Sequence, residues 1–289
     1  MHGFLSRDGV SPDEFRHLAR QQLEPFANVE LWDGDVTDVV RQPDGGFRVR
    51  LGQHRHELAR KILIATGLVD VLPKLPRIEE FWGTSVHQCP YCDGWERRGH
   101  PLAAFGRGSR GFEIARALTA WTSDLVLCTD GRSGLTGKQA QQLARNAIEV
   151  IEDRIAELSG ENGQLESIMF KSGRRLTRRA LFFDTASSPQ SLLAQNLGCR
   201  FTDNGGVRCG KYKATNVPGV FVAGNIIRNV QLSIVAAAEG ASAAFGINLA
   251  LTREDFNLRA RGVQRIKHPQ GPVPFRVSPG RPVRKIPSC

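Results

Sequence analysis

Leu102-Ala103-Ala104-Phe105-Gly106-Arg107-Gly108-Ser109-Arg110-Gly111-Phe112-Glu113-Ile114-Ala115-Arg116-Ala117-Leu118 is the stretch that decides the fold. Four apolar residues run into G-x-G-x-x-G, and Ile114, Ala115 and Leu118 then share one helical face. That order predicts strand, glycine turn and helix. Gly106, Gly108 and Gly111 let the backbone approach a pyrophosphate, whose charge sits at the helix N-terminus. A second apolar strand is expected at Leu125–Cys128, and Asp130 stands just past it, 19 residues after Gly111. An acid there accepts hydrogen bonds from a ribose 2′-OH and repels a 2′-phosphate, which favours NADH, with Arg132 nearby as the opposing charge. A glycine turn in an unrelated α/β unit is the competing reading.

Just upstream lies Cys89-Pro90-Tyr91-Cys92, two thiols spaced to close a small disulfide. A zinc half-site needs two further ligands, yet no second C-x-x-C exists and nine residues separate Cys199 from Cys209. We therefore expect no metal. A glutaredoxin-like domain places C-P-Y-C after an apolar strand and before a helix. Thr84-Ser85-Val86-His87-Gln88 reads as a poor strand, and Gly94, Gly99 and Pro101 discourage a long helix. The third reading is a disulfide centre working beside a flavin.

Further upstream, Ser11-Pro12-Asp13-Glu14 predicts a capped helix start, with Phe15, Leu18, Ala19 and Leu23 on one face and Pro25 ending it. Strands are expected at Val29–Leu31, Val36–Val40, Phe47–Leu51 and Ile62–Ala65, the last running into Thr66-Gly67. Pro73, Pro76 and Gly83 suggest a linker. Downstream, strands are expected at Ile168–Lys171, Leu181–Phe183 and Val220–Ala223, and a buried helix from about Gln231 to Leu251. Glu239, Ser242 and Asn248 interrupt that helix and argue against a membrane span.

The net charge of +10 does not point to nucleic acid, because residues 257–289 hold six arginines and two lysines without an acid. The basicity belongs to a Pro- and Arg-rich tail expected to be disordered. Six scattered cysteines fit a reducing cytoplasm better than a secreted disulfide scaffold.

Four motifs in one order give the chain a resemblance to the low-molecular-weight thioredoxin reductase family, over about residues 2–250. Ala65-Thr66-Gly67 resembles the end of the family's first flavin segment, and Cys89–Gly94 its C-x-x-C-D-G redox motif. The glycine loop 106–111 follows at the expected distance, and Thr215–Asn225 resembles the second flavin segment. Gln231 falls where the family starts a helix beneath the flavin ring. The resemblance implies an α/β chain of two Rossmann-like nucleotide-binding domains, the nicotinamide domain (84–203) inserted into a flavin domain (1–83 and 204–252), with a basic tail at 253–289.

It further implies electron transfer from NAD(P)H through FAD to Cys89–Cys92, with Cys89 attacking a substrate disulfide, Cys92 facing the flavin and Asp93 as general acid or base. Thr66, Gly67, Gly224, Asn225 and Gln231 would contact FAD; Gly106, Gly108, Gly111, Asp130 and Arg132 would hold the nicotinamide coenzyme. A thioredoxin-like protein or a small-molecule disulfide is the implied partner, acted on by a homodimer. Asn225 departs from the Asp common in the family. The family's first βαβ unit, with its own glycine loop, has no counterpart ahead of His2-Gly3-Phe4. The expectation is therefore an N-terminally incomplete flavin domain that holds FAD weakly, and the alternative function is a catalytically inactive nucleotide-binding or interaction protein.

Overall fold

The computed structural model describes residues 2–184 and 186–260. The chain divides into two compact units, one of residues 70–187 and one joining residues 2–69 to 188–260. The basic tail lies outside the described residues.

In the continuous unit, β6 (Val86–His87), β7 (Leu102–Phe105), β8 (Leu125–Cys128), β9 (Glu149–Ile151) and β13 (Ala180–Phe183) form a parallel sheet in the order β6-β13-β7-β8-β9. Covering both faces of a parallel sheet requires strands that are apolar throughout, and Leu102–Ala104, Leu125–Cys128 and Ala180–Phe183 are all buried. Alternate residues of these strands serve opposite faces. Leu102, Ala104, Leu127 and Phe182 meet α4 (Gly108–Leu118) and α5 (Gly137–Arg145) through Ala115, Leu118 and Leu143. Ala103, Val126, Leu181 and Phe183 meet an antiparallel sheet of β10 (Ile155–Glu161), β11 (Gln164–Phe170) and β12 (Arg175–Thr177).

The expected linker at 73–83 is part of this core: Leu75, together with Ile78 and Phe81 of the short α2 (Ile78–Phe81), is almost fully buried there. The unit boundaries thus fall at Val69/Asp70 and Ser187/Ser188, where the motif-based division puts 83/84 and 203/204. At the second crossing, Leu193, Ala194 and Cys199 pack with Phe47, which assigns 188–203 to the other unit. β5 (Leu68–Val71) and β14 (Ala186–Pro189), which carry the chain between units, pair as a two-stranded sheet.

The discontinuous unit holds α1 (Pro12–Leu23), the meander β1 (Val36–Arg41), β2 (Phe47–Leu51) and β3 (Arg55–Ala59), then β4 (Ile62–Ile64), α6 (Leu193–Asn196), β15 (Val220–Val222) and α7 (Ser233–Ala260). Ser11 caps α1 as expected, although none of the helix's apolar residues is buried. Residues 29–31 form no strand, and β3, whose Arg-His-Glu sequence hides it, pairs with β2 from Phe47↔Ala59 to Leu51↔Arg55. β4 and β15 run parallel, Val220↔Ile62 to Val222↔Ile64.

α7 starts after Gln231 and runs beyond Leu251. It buries only Glu239, Ala243 and Gly246 and leaves Phe245 and Phe256 exposed, so it is not the buried helix its composition suggests. By length and composition alone it could also cross a membrane. Its ties to the unit include Ala243 against Phe221 and Ala223, Phe245 beside the Tyr212 ring, and ion pairs from Glu239 to Lys213 and from Glu254 to Arg60 and Lys61.

Candidate functional site

Cys89 and Cys92 are joined as a disulfide, Cα atoms 5.2 Å apart. The preceding residues do form a strand, contrary to expectation: Val86 and His87 pair with Leu181 and Phe182 of β13, which supplies the ladder their sequence does not advertise. Cys89 is the N-cap of α3 (Pro90–Asp93), its sulfur accepting from the Cys92 N–H at 3.1 Å, with Pro90 at the first helical position. The helix then stops after four residues. At Gly94 a Cβ would lie 2.2 Å from the Pro90 carbonyl oxygen and 2.4 Å from Trp121 Nε1, so only glycine lets the chain turn there. Tyr91 beside the disulfide is 74% exposed. It lines an open groove of about 550 Å³ with Pro90, Arg110, Glu113, Arg116 and Asp184.

The other cysteines present different chemistry. Cys128 is fully buried and its thiol is pushed up to about 12 by desolvation; burial also raises Cys199 and Cys209. None of the three is disulfide-bonded, and Cys289 lies outside the described residues. No cluster of metal-ligating side chains occurs among the described residues.

The glycine loop joins β7 to α4 as its spacing predicts. A Cβ on Gly111 would sit 2.4 Å from the Gly106 oxygen, and Gly108 has φ +55°. No side chain caps the α4 N-terminus at Arg107. A backbone cradle that side chains would fill, beside an uncapped helix start, fits a dinucleotide phosphate. Asp130 stands just past β8, where the sequence puts it, and its carboxylate is already engaged. Its Oδ1 accepts the Ile155 N–H at 2.8 Å, and its Oδ2 lies 3.9 Å from Arg107 Nη2. Arg107 reaches from the loop to donate to the Thr129 carbonyl at 2.7 Å and to the Asp130 carbonyl. Arg132, two residues on, is exposed.

In the discontinuous unit the parallel pairing of β4 and β15 brings Thr66-Gly67 and Gly224-Asn225 to the same, carboxyl end of the two strands. Ligands bind at that end of open α/β sheets. Gly67 and Gly224 have φ +70° and +77°. These four residues therefore fit part of FAD. Gln231 sits exposed two residues before α7 rather than in its first turn.

Beneath Gly224 lies a network the sequence does not signal. The buried Glu239 carboxylate accepts from the Gly224 N–H (2.9 Å), Lys213 Nζ (2.8 Å) and Asn229 Nδ2 (3.3 Å). Arg107 and His87 were also missed: the first is visible only as a variable position of the glycine motif, and the second as part of an unpromising strand.

The family model for pyridine nucleotide-disulphide oxidoreductases matches residues 11–240. The thioredoxin reductase tcpT of Claviceps purpurea is 28% identical over 243 residues, which cover 80% of this chain and 76% of that protein. The "Probable thioredoxin reductase" of Arthroderma benhamiae is 32% identical over 136 residues, 45% of this chain and only 34% of that protein's length. Among solved structures, TrxB from Bacillus anthracis superposes with a TM-score of 0.83 at 30% identity, covering 88% of this chain and 85% of that one.

Proposed function

This chain belongs to the pyridine nucleotide-disulphide oxidoreductase family, and from that premise we propose that it reduces a substrate disulfide through Cys89–Cys92. The observation that carries the reading is the closed Cys89–Cys92 disulfide at the start of α3, within the same unit as a glycine cradle suited to a dinucleotide. The family's members use FAD and NAD(P)H; FAD, when bound, relays two electrons from the nicotinamide to the disulfide. Thr66, Gly67, Gly224 and Asn225 would contact FAD, with Gln231 near them. Gly106, Gly108 and Gly111 would hold the coenzyme pyrophosphate.

Once the pair is reduced, Cys89 is the attacking thiolate, Cys92 resolves the mixed disulfide, and Asp93 takes and returns the proton. The groove beside Tyr91 supports approach of either a thioredoxin-like protein or a small disulfide. A homodimer in the cytoplasm, acting without nucleic acid or membrane, belongs to the same proposal.

The coenzyme assignment reverses the leaning toward NADH drawn from Asp130 alone. One Asp130 oxygen is held by the Ile155 amide and the other faces Arg107, so the local charge is no longer that of a lone acid. With Arg107 there and the exposed Arg132 two residues along the chain, a 2′-phosphate would have guanidinium groups to pair with, which supports NADPH. Calorimetry should find 2′-phospho-ADP-ribose bound about tenfold or more tighter than ADP-ribose, roughly one charge-assisted hydrogen bond. Arg107→Ala should erase the difference, and equal binding by the unaltered chain would refute the NADPH reading.

The reading as a whole is tested by adding FAD, NADPH and an aromatic disulfide to the purified chain. Turnover lost in Cys89→Ser supports it; absence of turnover with FAD bound refutes it. One observation favours the alternative of an inactive nucleotide-binding or interaction protein. Among the described residues the β4–β15 sheet has only two strands and leaves Leu63 39% exposed, a meagre platform for a flavin. A colourless protein that takes up no added FAD would support that alternative.

A further inference from the structure

His87 is the last residue of β6, two positions before Cys89, and nothing in the scheme above uses it. Its ring stacks at 5.2 Å on Phe182, is 6% exposed, and has Nε2 buried without a hydrogen-bond partner. Its Nδ1 lies 3.6 Å from Oδ1 of Asp93, the residue that follows Cys92. An orphaned ring nitrogen inside a sheet is costly, and an apolar residue of similar shape would avoid the cost.

The charged surroundings limit what the ring can do. Facing it are Arg97, whose guanidinium donates to the Thr84 carbonyl, the Thr84 backbone itself, and Asp93. Burial first, and then the Arg97 charge, pull the imidazole down to about 4, so it is neutral at pH 7. A neutral imidazole carries one N–H. The Thr84 carbonyl is one acceptor for that hydrogen but already takes the Arg97 guanidinium, and the Asp93 carboxylate, 3.6 Å from Nδ1 and just beyond hydrogen-bond length, is the other.

We propose that His87 is a positioning residue that holds the Asp93 carboxylate as the proton acceptor for Cys92. The role of Asp93 rests on the function proposed above. In the exchange, the Cys89 thiolate attacks the substrate disulfide, forming one S–S bond and releasing one substrate thiolate. The Cys92 thiol then gives its proton to Asp93 and attacks the Cys89 sulfur of the mixed disulfide. The Cys89–Cys92 bond forms, the second substrate thiolate leaves, and it takes the proton from Asp93. Two electrons pass from the dithiol to the substrate, and the His87 N–H stays in place throughout.

The test uses the full chain, reduced chemically and freed of reductant, mixed with 5,5′-dithiobis(2-nitrobenzoate) in a stopped-flow instrument from pH 5 to 9. Beyond what the other cysteines release while the disulfide is closed, unaltered protein should release two equivalents of thionitrobenzoate, the first from attack by Cys89 and the second from resolution by Cys92. His87→Phe should leave the first phase unchanged, slow the second about tenfold, and move the acid limb of its pH profile upward, a modest share of a general-base effect. His87→Asn, which keeps an N–H near the Nδ1 position, should restore most of the rate. In an Asp93→Asn background, His87→Phe should add nothing, a comparison that holds even if the single variant folds poorly. An unchanged second phase in His87→Phe, failure of His87→Asn to restore it, or a full tenfold effect without the Asp93 carboxylate would each overturn the proposal. Release of no thionitrobenzoate by the unaltered chain would instead overturn the disulfide chemistry itself.

Discussion

Replacing Glu239 with alanine should open the turn that follows β15. The carboxylate is 8% exposed and receives three donors: Lys213 Nζ, the Gly224 N–H and Asn229 Nδ2. Removing one partner of a buried ion pair costs about 3–5 kcal/mol. Lys213 keeps 21% exposure and can turn to water, which argues for the lower end, about 3 kcal/mol. At ~1.4 kcal/mol per decade, the Gly224 amide should open about 100-fold more often. Native-state hydrogen exchange at that amide reads the change directly. Glu239→Gln keeps an acceptor without the charge and should fall between, near tenfold.

Burial alone would raise the Glu239 carboxyl, but the Lys213, Asn229 and Gly224 bonds outweigh it and hold the group below its ordinary 4.5. A depressed folded pKa means stability fully present above 4.5 and lost as pH falls through the folded value. Protection of Gly224 should therefore decline below about pH 4.5 in the native chain and stay level in Glu239→Gln. Exchange in Glu239→Ala within threefold of the unaltered protein would refute the reasoning.

Thiol counting should rise by two on reduction of the native chain, and Cys92→Ser should abolish that rise; a persistent difference would assign the disulfide elsewhere. Gly111→Ala puts a methyl group 2.4 Å from the Gly106 oxygen. It should cost about 1–3 kcal/mol of stability in denaturant and weaken ADP-ribose binding in calorimetry, since backbone cannot yield as a side chain can. Unchanged binding would show that the loop does not hold the pyrophosphate. Phe47→Ala removes a ring that is 1% exposed in the core of the discontinuous unit and should cost about 3–5 kcal/mol. A loss under about 1 kcal/mol in urea unfolding would contradict that packing.

The parts legible in the sequence are those where one local pattern determines one local geometry. Leu102–Gly111 could be read because a doubly covered strand is apolar throughout and its turn excludes side chains. Ser11-Pro12 marked a helix start for equally local reasons. β6 could not be read, since two residues become a strand only by pairing with Leu181 and Phe182 far along the chain. β3 was hidden by charges that its exposed face tolerates. Asp130 is legible as the acid just past β8, whereas its bond to the Ile155 amide and the reach of Arg107 depend on tertiary placement. As far as Leu251, α7 carries mostly small and apolar residues, a composition that a buried helix shares, and its exposure is set by which neighbours surround it.

The order in which strands are made differs between the two units. Residues 70–187 are contiguous, so every member of the five-stranded sheet has been synthesised before residue 200 is joined. β4 must wait for β15, because residues 62–64 pair with 220–222. Closing so long a loop is unfavourable until the intervening chain has collapsed, and domains commonly fold during synthesis as their sequence becomes complete. The inserted unit should therefore form first and act as a tether that draws the two ends of the other together. Chains arrested on the ribosome near residue 230, with β13 outside the exit tunnel and β15 still within it, should then already resist protease across 102–183, while β1 to β4 remain cleavable.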